Sequence, residues 1–401
     1  DKTCRIWDVR SNKVHKALTG FDAPVASTCF TPADEHTIYV ASGTNVYSYD
    51  LRMESLLINI SQASNVYGGA SDDIDQIHVN YRASYLVACD DAGDVRTLDL
   101  KTGKWMRATD RRHDNIAMTA QFIPAKDLQV ISGGMDKRVI TWDLYKGRAL
   151  KMIETDIPTL PGVQAKQLFN PPFVHSIAIH PSGTHAAVGL GDGTVQFLHT
   201  AADIPTSEEP PAPSQDPPST ETLKKNKKKK SGAGGGSGSD DWVVGGRLTS
   251  AHRSGIATLQ YAGFNPKWLV TSSGQGTVAI WDDHAARFAC YQRLLQQQAY
   301  QQNVVQQLRK EGIPMAQATS AAAAVASANA TPDDRPIQPV TEFNVTNMFE
   351  RINCIATSHG TGGDAAEAST QKCIFVAGTH HQTLKAGSEK LQGRIAVYQI
   401  N

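Results

Sequence analysis

Histidines beside apolar strand-like runs are the first residues in this chain with chemistry to offer. His113 and His252 each precede a stretch of alternating apolar residues, where an imidazole can hold a metal or act as a general base. Their surroundings support neither role. No Ser-His-Asp, HExxH or phosphate-loop signature accompanies them. The glycine-rich GLGDGTVQ (189–196) lies between two strand-like runs and not ahead of a helix, so it reads as a turn. Cys4, Cys29, Cys89, Cys290, Cys354 and Cys373 form no CxxC pair, and most sit in apolar runs. That pattern predicts buried free thiols in a reducing compartment. No cofactor, no metal and no catalysis are expected.

Bulk composition narrows the partners. The 401 residues carry 39 basic and 39 acidic side chains, and a net charge of zero argues against wholesale nucleic-acid binding. A mean hydropathy of -0.34 with 40% apolar residues implies some solvated linker. No apolar run is long enough for a membrane span. A nuclear and/or cytoplasmic location is expected.

The elements that position these side chains come from a repeat. TCRIWDVR (3–10) returns as NVYSYDLR, DVRTLDLK, RVITWDLY, TVQFLHTA, TVAIWDDH and RIAVYQIN. Aligned on the Trp position these give Trp7, Tyr49, Leu98, Trp142, Leu198, Trp281 and Tyr398, spaced by 42, 49, 44, 56, 83 and 117 residues. The shorter spacings match the ~40–45-residue period of WD-repeat propeller blades, and the longer ones require insertions. Short alternating strands with Gly/Asp turns predict an all-β, seven-bladed WD-repeat β-propeller, each aligned position falling on the third strand of its blade. On this register the first two strands of the first blade, and the strand that closes the ring, are expected to lie outside the sequence. The chain then divides into five blades over 1–200, a disordered Pro/Lys/Gly-rich linker over 201–242 and a blade over 243–283. A Gln-rich helix with an Ala-rich spacer follows over 284–335, and the last blade over 336–401.

The insertions carry their own signals. Lys224, Lys225, Lys227, Lys228, Lys229 and Lys230 resemble a nuclear-import run, or else a solvated charge run that keeps the linker extended. No aromatics are interleaved, so only nonspecific nucleic-acid contact is expected there. In 285–314, Phe288, Tyr291, Leu295, Val305 and Leu308 fall near helical spacing. They predict a helix that packs on the propeller flank or pairs with a partner.

Two resemblances add to this reading. His113, Ser132, Asp136 and Trp142 resemble the structural tetrad of WD repeats, which implies a loop His linked through Ser and Asp toward the Trp indole. A second unit keeps His252 and Trp281, but Gln275 stands where the Asp would be. Over most of 1–283 the chain also resembles the WD repeat-containing protein 53 group, in phrases such as LVACDDAGDVRTLDLKTGK, RRHDNIAMTAQFIP and ISGGMDKRVITWDL. That resemblance implies a monomeric, non-catalytic substrate receptor. It would dock on the adaptor of a cullin-4 RING ubiquitin ligase through W-D-x-R motifs and hold an unknown client. The matching residues are Trp7, Asp8 and Arg10, with a second copy in Tyr49, Asp50 and Arg52. The other reading left open is a general nuclear scaffold for RNP or chromatin assemblies.

Overall fold

The computed structural model describes residues 2–8, 11, 13–31, 34–106, 109–155, 170–205, 241–249, 251–310, 337–344, 351–357, 372–383 and 389–400. For 35, 343–344 and everything from 351 onward, the backbone alone is described.

The fourth blade shows how the repeat folds. Ala117–Phe122, Gln129–Gly134, Arg138–Asp143 and Arg148–Glu154 pair antiparallel in chain order. Their β-branched and aromatic residues suit a pleated surface. Burial along the second and third strands is nearly continuous and does not alternate. Such a pattern requires both faces of the sheet to be covered.

The other blades repeat this plan. The second holds Val25–Thr31, Asp34–Ser42, Asn45–Asp50 and Asn65–Tyr67; the third holds Ile74–Val79, Tyr85–Asp90, Val95–Asp99 and Lys104–Trp105. Val174–Ile179, His185–Leu190, Val195–Thr200 and Trp242–Leu248 form the fifth. The sixth is built from Ile256–Ala262, Asn265–Ser273, Thr277–Asp282 and Thr341–Asn344. Arg351–Thr357, Lys372–Thr383 and Glu389–Ile400 make the seventh. The first strands of blades two to seven lie side by side in chain order. The cores sit between blades: Trp142 packs with Val87 and Val95 of the preceding sheet, and Val174 with Ile131 and Val139. The architecture is a β-propeller.

The seven aligned positions all fall in strands, and from the second blade onward each strand is the third of its sheet. Both insertions separate a third strand from its fourth. Consequently 243–283 begins within the outer strand of the fifth blade, and 336–401 begins with the outer strand of the sixth. Strand pairing, and not the position of the insertion, sets where a blade ends.

Two features depart from the sequence expectations. In the first sheet, Cys4–Asp8 pairs with Lys13–Thr19, and a third strand, Leu57–Asn59, joins parallel to the latter. That strand belongs to the connection between the third and fourth strands of blade two. The second departure concerns helix α1 (Asp283–Lys310). It buries Asp283, Ala286, Arg287 and Cys290 and sets Tyr291 edge-on to His199, while Leu295 is exposed, so the predicted apolar stripe packs only in part. Only the first turns cross the outer strand of blade five, and two of the buried side chains are charged, which apolar periodicity cannot flag. Gly246, at φ +108, lies under this crossing, where a Cβ would come within 2.5 Å of the Cys290 carbonyl oxygen. Among the described residues no helix is long and apolar enough to cross a membrane.

Gly133 and Gly189 occupy the same place in blades four and five, nine residues before Trp142 and Leu198. A Cβ on Gly133 would stand 2.7 Å from the Val174 Cβ, and one on Gly189 would stand 2.5 Å from the Ile256 Cγ2. Gly133→Ala and Gly189→Ala should each destabilise the protein by about 1–3 kcal/mol, read from the denaturant midpoint. Unchanged midpoints would show that the blades have slack at this contact.

Candidate functional site

Strand order fixes which loops share a face. In a four-stranded antiparallel sheet, the turns after the first and third strands open at one edge, and the turn after the second opens at the other. Asp8, the Asp50–Arg52 turn and both insertions therefore leave from one face of the propeller. His113 and Asp136 lie on the opposite face.

On that opposite face, four side chains of blade four form a chain of hydrogen bonds. The Trp142 indole Nε1–H donates to Ser132 Oγ at 2.7 Å, and Ser132 Oγ lies 2.7 Å from His113 Nε2. His113 Nδ1 lies 2.9 and 3.0 Å from the two Asp136 oxygens. One donor order fits throughout: indole to hydroxyl, hydroxyl to Nε2, and Nδ1–H to carboxylate. Backbone N–H groups of Asp114 and Arg138 also donate to Asp136. Burial alone would raise the Asp136 carboxyl, yet His113 and these amides hold it below its usual value. Trp142, Ser132 and His113 are buried. The network satisfies an indole that has no water to reach, and it ties the second-to-third strand turn to the loop entering the blade.

Blade six builds a shorter version. Trp281 Nε1–H donates to Thr271 Oγ1 at 2.9 Å, and His252 Nε2 lies 2.8 Å from the same oxygen. Gln275 brings no carboxylate to the position that Asp136 holds in blade four.

The docking residues are placed unequally. Trp7 is 40% exposed on the edge strand of the first sheet, and Asp8 accepts a hydrogen bond from Ser11 Oγ at 2.7 Å. Arg10 lies outside the described residues, as do all six lysines from Lys224 to Lys230. Tyr49 is fully buried against Phe21, which corrects the expectation that it meets a partner: its ring is core. Asp50 and Arg52 remain available. Arg52 Nε donates to both Asp50 oxygens at 3.0 and 3.1 Å, Nη2 donates to Oδ2 at 2.7 Å, and the Arg52 backbone N–H donates to Oδ1 at 2.9 Å. The side-chain hydrogen bonds from Arg52, then its backbone N–H, bring the Asp50 carboxyl down to about 2. The guanidinium stays 67% exposed.

On the same face, the turns after the first strands of blades three, four and five enclose a cleft of about 400 Å3. His78, Tyr81, Phe122, Pro124, Ile179 and Pro181 are among its lining residues. Burial lowers His78 to about 4, and its Nδ1 accepts the Phe122 N–H.

A buried ionic cluster, formed by residues from blades five and six and helix α1, gave no sign in the sequence. His185 Nδ1 lies 2.8 Å from Asp203 Oδ2, and its Nε2 lies 3.0 Å from Asp283 Oδ2. Arg287 spans the same two carboxylates, at 3.1 Å from Asp203 and 3.0 Å from Asp283. Its members come from segments almost one hundred residues apart, so no local spacing could announce it. Among the described residues no group of three or more His, Cys, Asp or Glu is arranged to hold a metal ion.

Known proteins agree with this geometry. The family model described as WD domain, G-beta repeat matches residues 245–282, the stretch that holds His252, Thr271 and Trp281. The match makes residues 245–282 a WD repeat. The chain is 28% identical over 209 residues to the WD repeat-containing protein 53 homolog of Dictyostelium discoideum, covering 49% of this chain and 56% of that one. It is 29% identical over 198 residues to human Protein NEDD1, covering 49% of this chain and 26% of that protein. The match to bovine Protein NEDD1 is similar, at 28% over 197 residues. The chain thus spans between about a quarter and just over half the length of these relatives.

The WD-repeat network of blade four gives a direct test. His113→Ala should lower stability by about 1–3 kcal/mol, because Ser132 and Asp136 lose a buried partner. Ser132→Ala should cost a similar amount, whereas Ser132→Thr should cost less, because Thr271 already serves this role in blade six. Denaturation followed by tryptophan fluorescence measures all three. No change in the first two would mean that the network does not contribute to stability.

Proposed function

We propose that this chain is a non-catalytic protein-interaction propeller that docks on the adaptor of a cullin-4 ubiquitin ligase and presents a client protein to it. The observation that carries this reading is the Asp50–Arg52 pair. An exposed guanidinium held in a fork by its own neighbour is pre-organised for a partner's carboxylate or carbonyl groups. Little side-chain freedom is left to lose on binding, which is how a surface arginine becomes an anchor. Asp8 opens on the same face, where the first motif reads WDVR through Arg10. The similarity to the WD repeat-containing protein 53 homolog supports the coarser part of this reading, a protein-interaction propeller.

Affinity purification of the wild-type protein should recover the adaptor and cullin. Arg10→Ala with Arg52→Ala should fold normally and weaken adaptor binding at least about ten-fold. Arg52→Lys should rescue poorly, because an ammonium cannot reproduce the planar fork. Asp50→Asn should weaken binding less, since it loosens Arg52 without removing it. Recovery of RNP or chromatin components without the adaptor would favour the general nuclear scaffold instead.

A further inference from the structure

Besides the apolar contacts of Ala286 and Cys290, helix α1 is fastened to the propeller by a buried ionic cluster whose chemistry is unusual. His185 begins the second strand of blade five and has a carboxylate near each ring nitrogen, Asp203 at Nδ1 and Asp283 at Nε2, the second held by charge and not by a hydrogen bond. A neutral imidazole carries one N–H and no net charge, so it can serve at most one of these two carboxylates. The geometry therefore suits the imidazolium. With His185 charged, two cations and two anions alternate in a closed ring: His185, Asp203, Arg287, Asp283. The side chains of His185, Asp283 and Arg287 are 4–5% exposed, and that of Asp203 is 27% exposed. Without the proton, the ring keeps a net negative charge in a site that excludes water.

Thr184 Oγ1 lies 3.1 Å from His185 Nδ1 and can accept that N–H alongside Asp203. Thr184 Oγ1 donates to Asp203 at 3.0 Å, and Tyr261 OH donates to Asp283 at 2.8 Å. His180 stacks on His185 with ring centroids 4.1 Å apart and meets Tyr261 edge-on. Burial, then the His185 charge, lowers His180 to about 4. Burial, then Arg287, lowers His199 on the adjacent strand. Burial, then Asp283, pushes the Tyr261 hydroxyl up. Of these three histidines, His185 is the one shifted up from the ordinary value.

We propose that His185 is a proton-operated latch for helix α1: protonated, it clamps Asp283 and Arg287 at the helix root to Asp203 of blade five, and deprotonated, it lets the root loosen. The two attachments it joins are the starts of the two insertions, since Asp203 leads into the first and Asp283 opens the second. Burial works against the charge on His185, but Asp203 and Asp283 outweigh it and raise its pKa above the ordinary 6.5. For a histidine raised on folding, the extra stability is fully present below the ordinary value and is lost as pH rises through the raised one. The latch is therefore closed in mild acid and opens on the alkaline side.

Amide hydrogen exchange over 284–292 in the 401-residue chain, corrected for intrinsic rates, tests this. Protection should fall about five-fold or more between about pH 5.5 and about pH 8.5, while strands of blades three and four stay unchanged. A histidine NMR titration should place the His185 transition above the ordinary 6.5. His185→Gln should remove the pH dependence over 284–292. Asp203→Asn, which spares the helix itself, should move the transition to lower pH. Constant protection in the wild type overturns the latch. So does an unaltered transition in Asp203→Asn, which holds even if His185→Gln fails to fold.

Discussion

No sheet in this protein can bury itself. The central strands of blades two to six are largely apolar on both faces, and the cores they form are shared with the neighbouring sheets. Sheet-on-sheet packing is thus the constraint on which the rest depends. It explains the small residues at Gly133 and Gly189, where the next blade's first strand presses in. It also explains where insertions are tolerated. Both leave between a third and a fourth strand, at the rim, and the second returns Ala286 and Cys290 of α1 to the core shared by blades five and six.

The same packing decides how polar groups are used. An indole trapped between blades needs an acceptor, and blades four and six supply one from a hydroxyl that a loop histidine also reaches. These histidines hold turns in place and leave the faces free for contacts. On the face of the insertions, the polar group that matters is outside the core. Asp50 fixes Arg52 in the open, where it is not spent on the fold.

Much of this was legible in the sequence because a repeat states each rule several times. The aligned Trp, Tyr and Leu positions marked the third strands, and the His113–Ser132–Asp136–Trp142 set could be named before any coordinates. Legibility failed where a contact had no period. Tyr49 looks like a motif residue by position, yet the blade uses it as core. The packed face of α1 is written in Asp283 and Arg287, which read as solvated charges until Asp203 and His185 are brought to them by the ring. The strand Leu57–Asn59 is too short for alternation to register, and its partner lies some forty residues upstream.

That short strand has a mechanical meaning. Blade two's outer connection crosses over to lie parallel to Lys13–Thr19, and the Ala17 N–H bonds to the Leu56 carbonyl at 2.9 Å. Lys16 reaches back to the carbonyls of Met53 and Ser55. Arg52 sits a few residues before this crossing on the same stretch of chain. A partner that tugs on Arg52 therefore pulls on the backbone of blade one as well as blade two. Force directed along the strands would load the parallel hydrogen bonds together, in shear, instead of peeling them apart one by one. The first two blades would then carry tension as a single plate, anchored beside the point where it is applied.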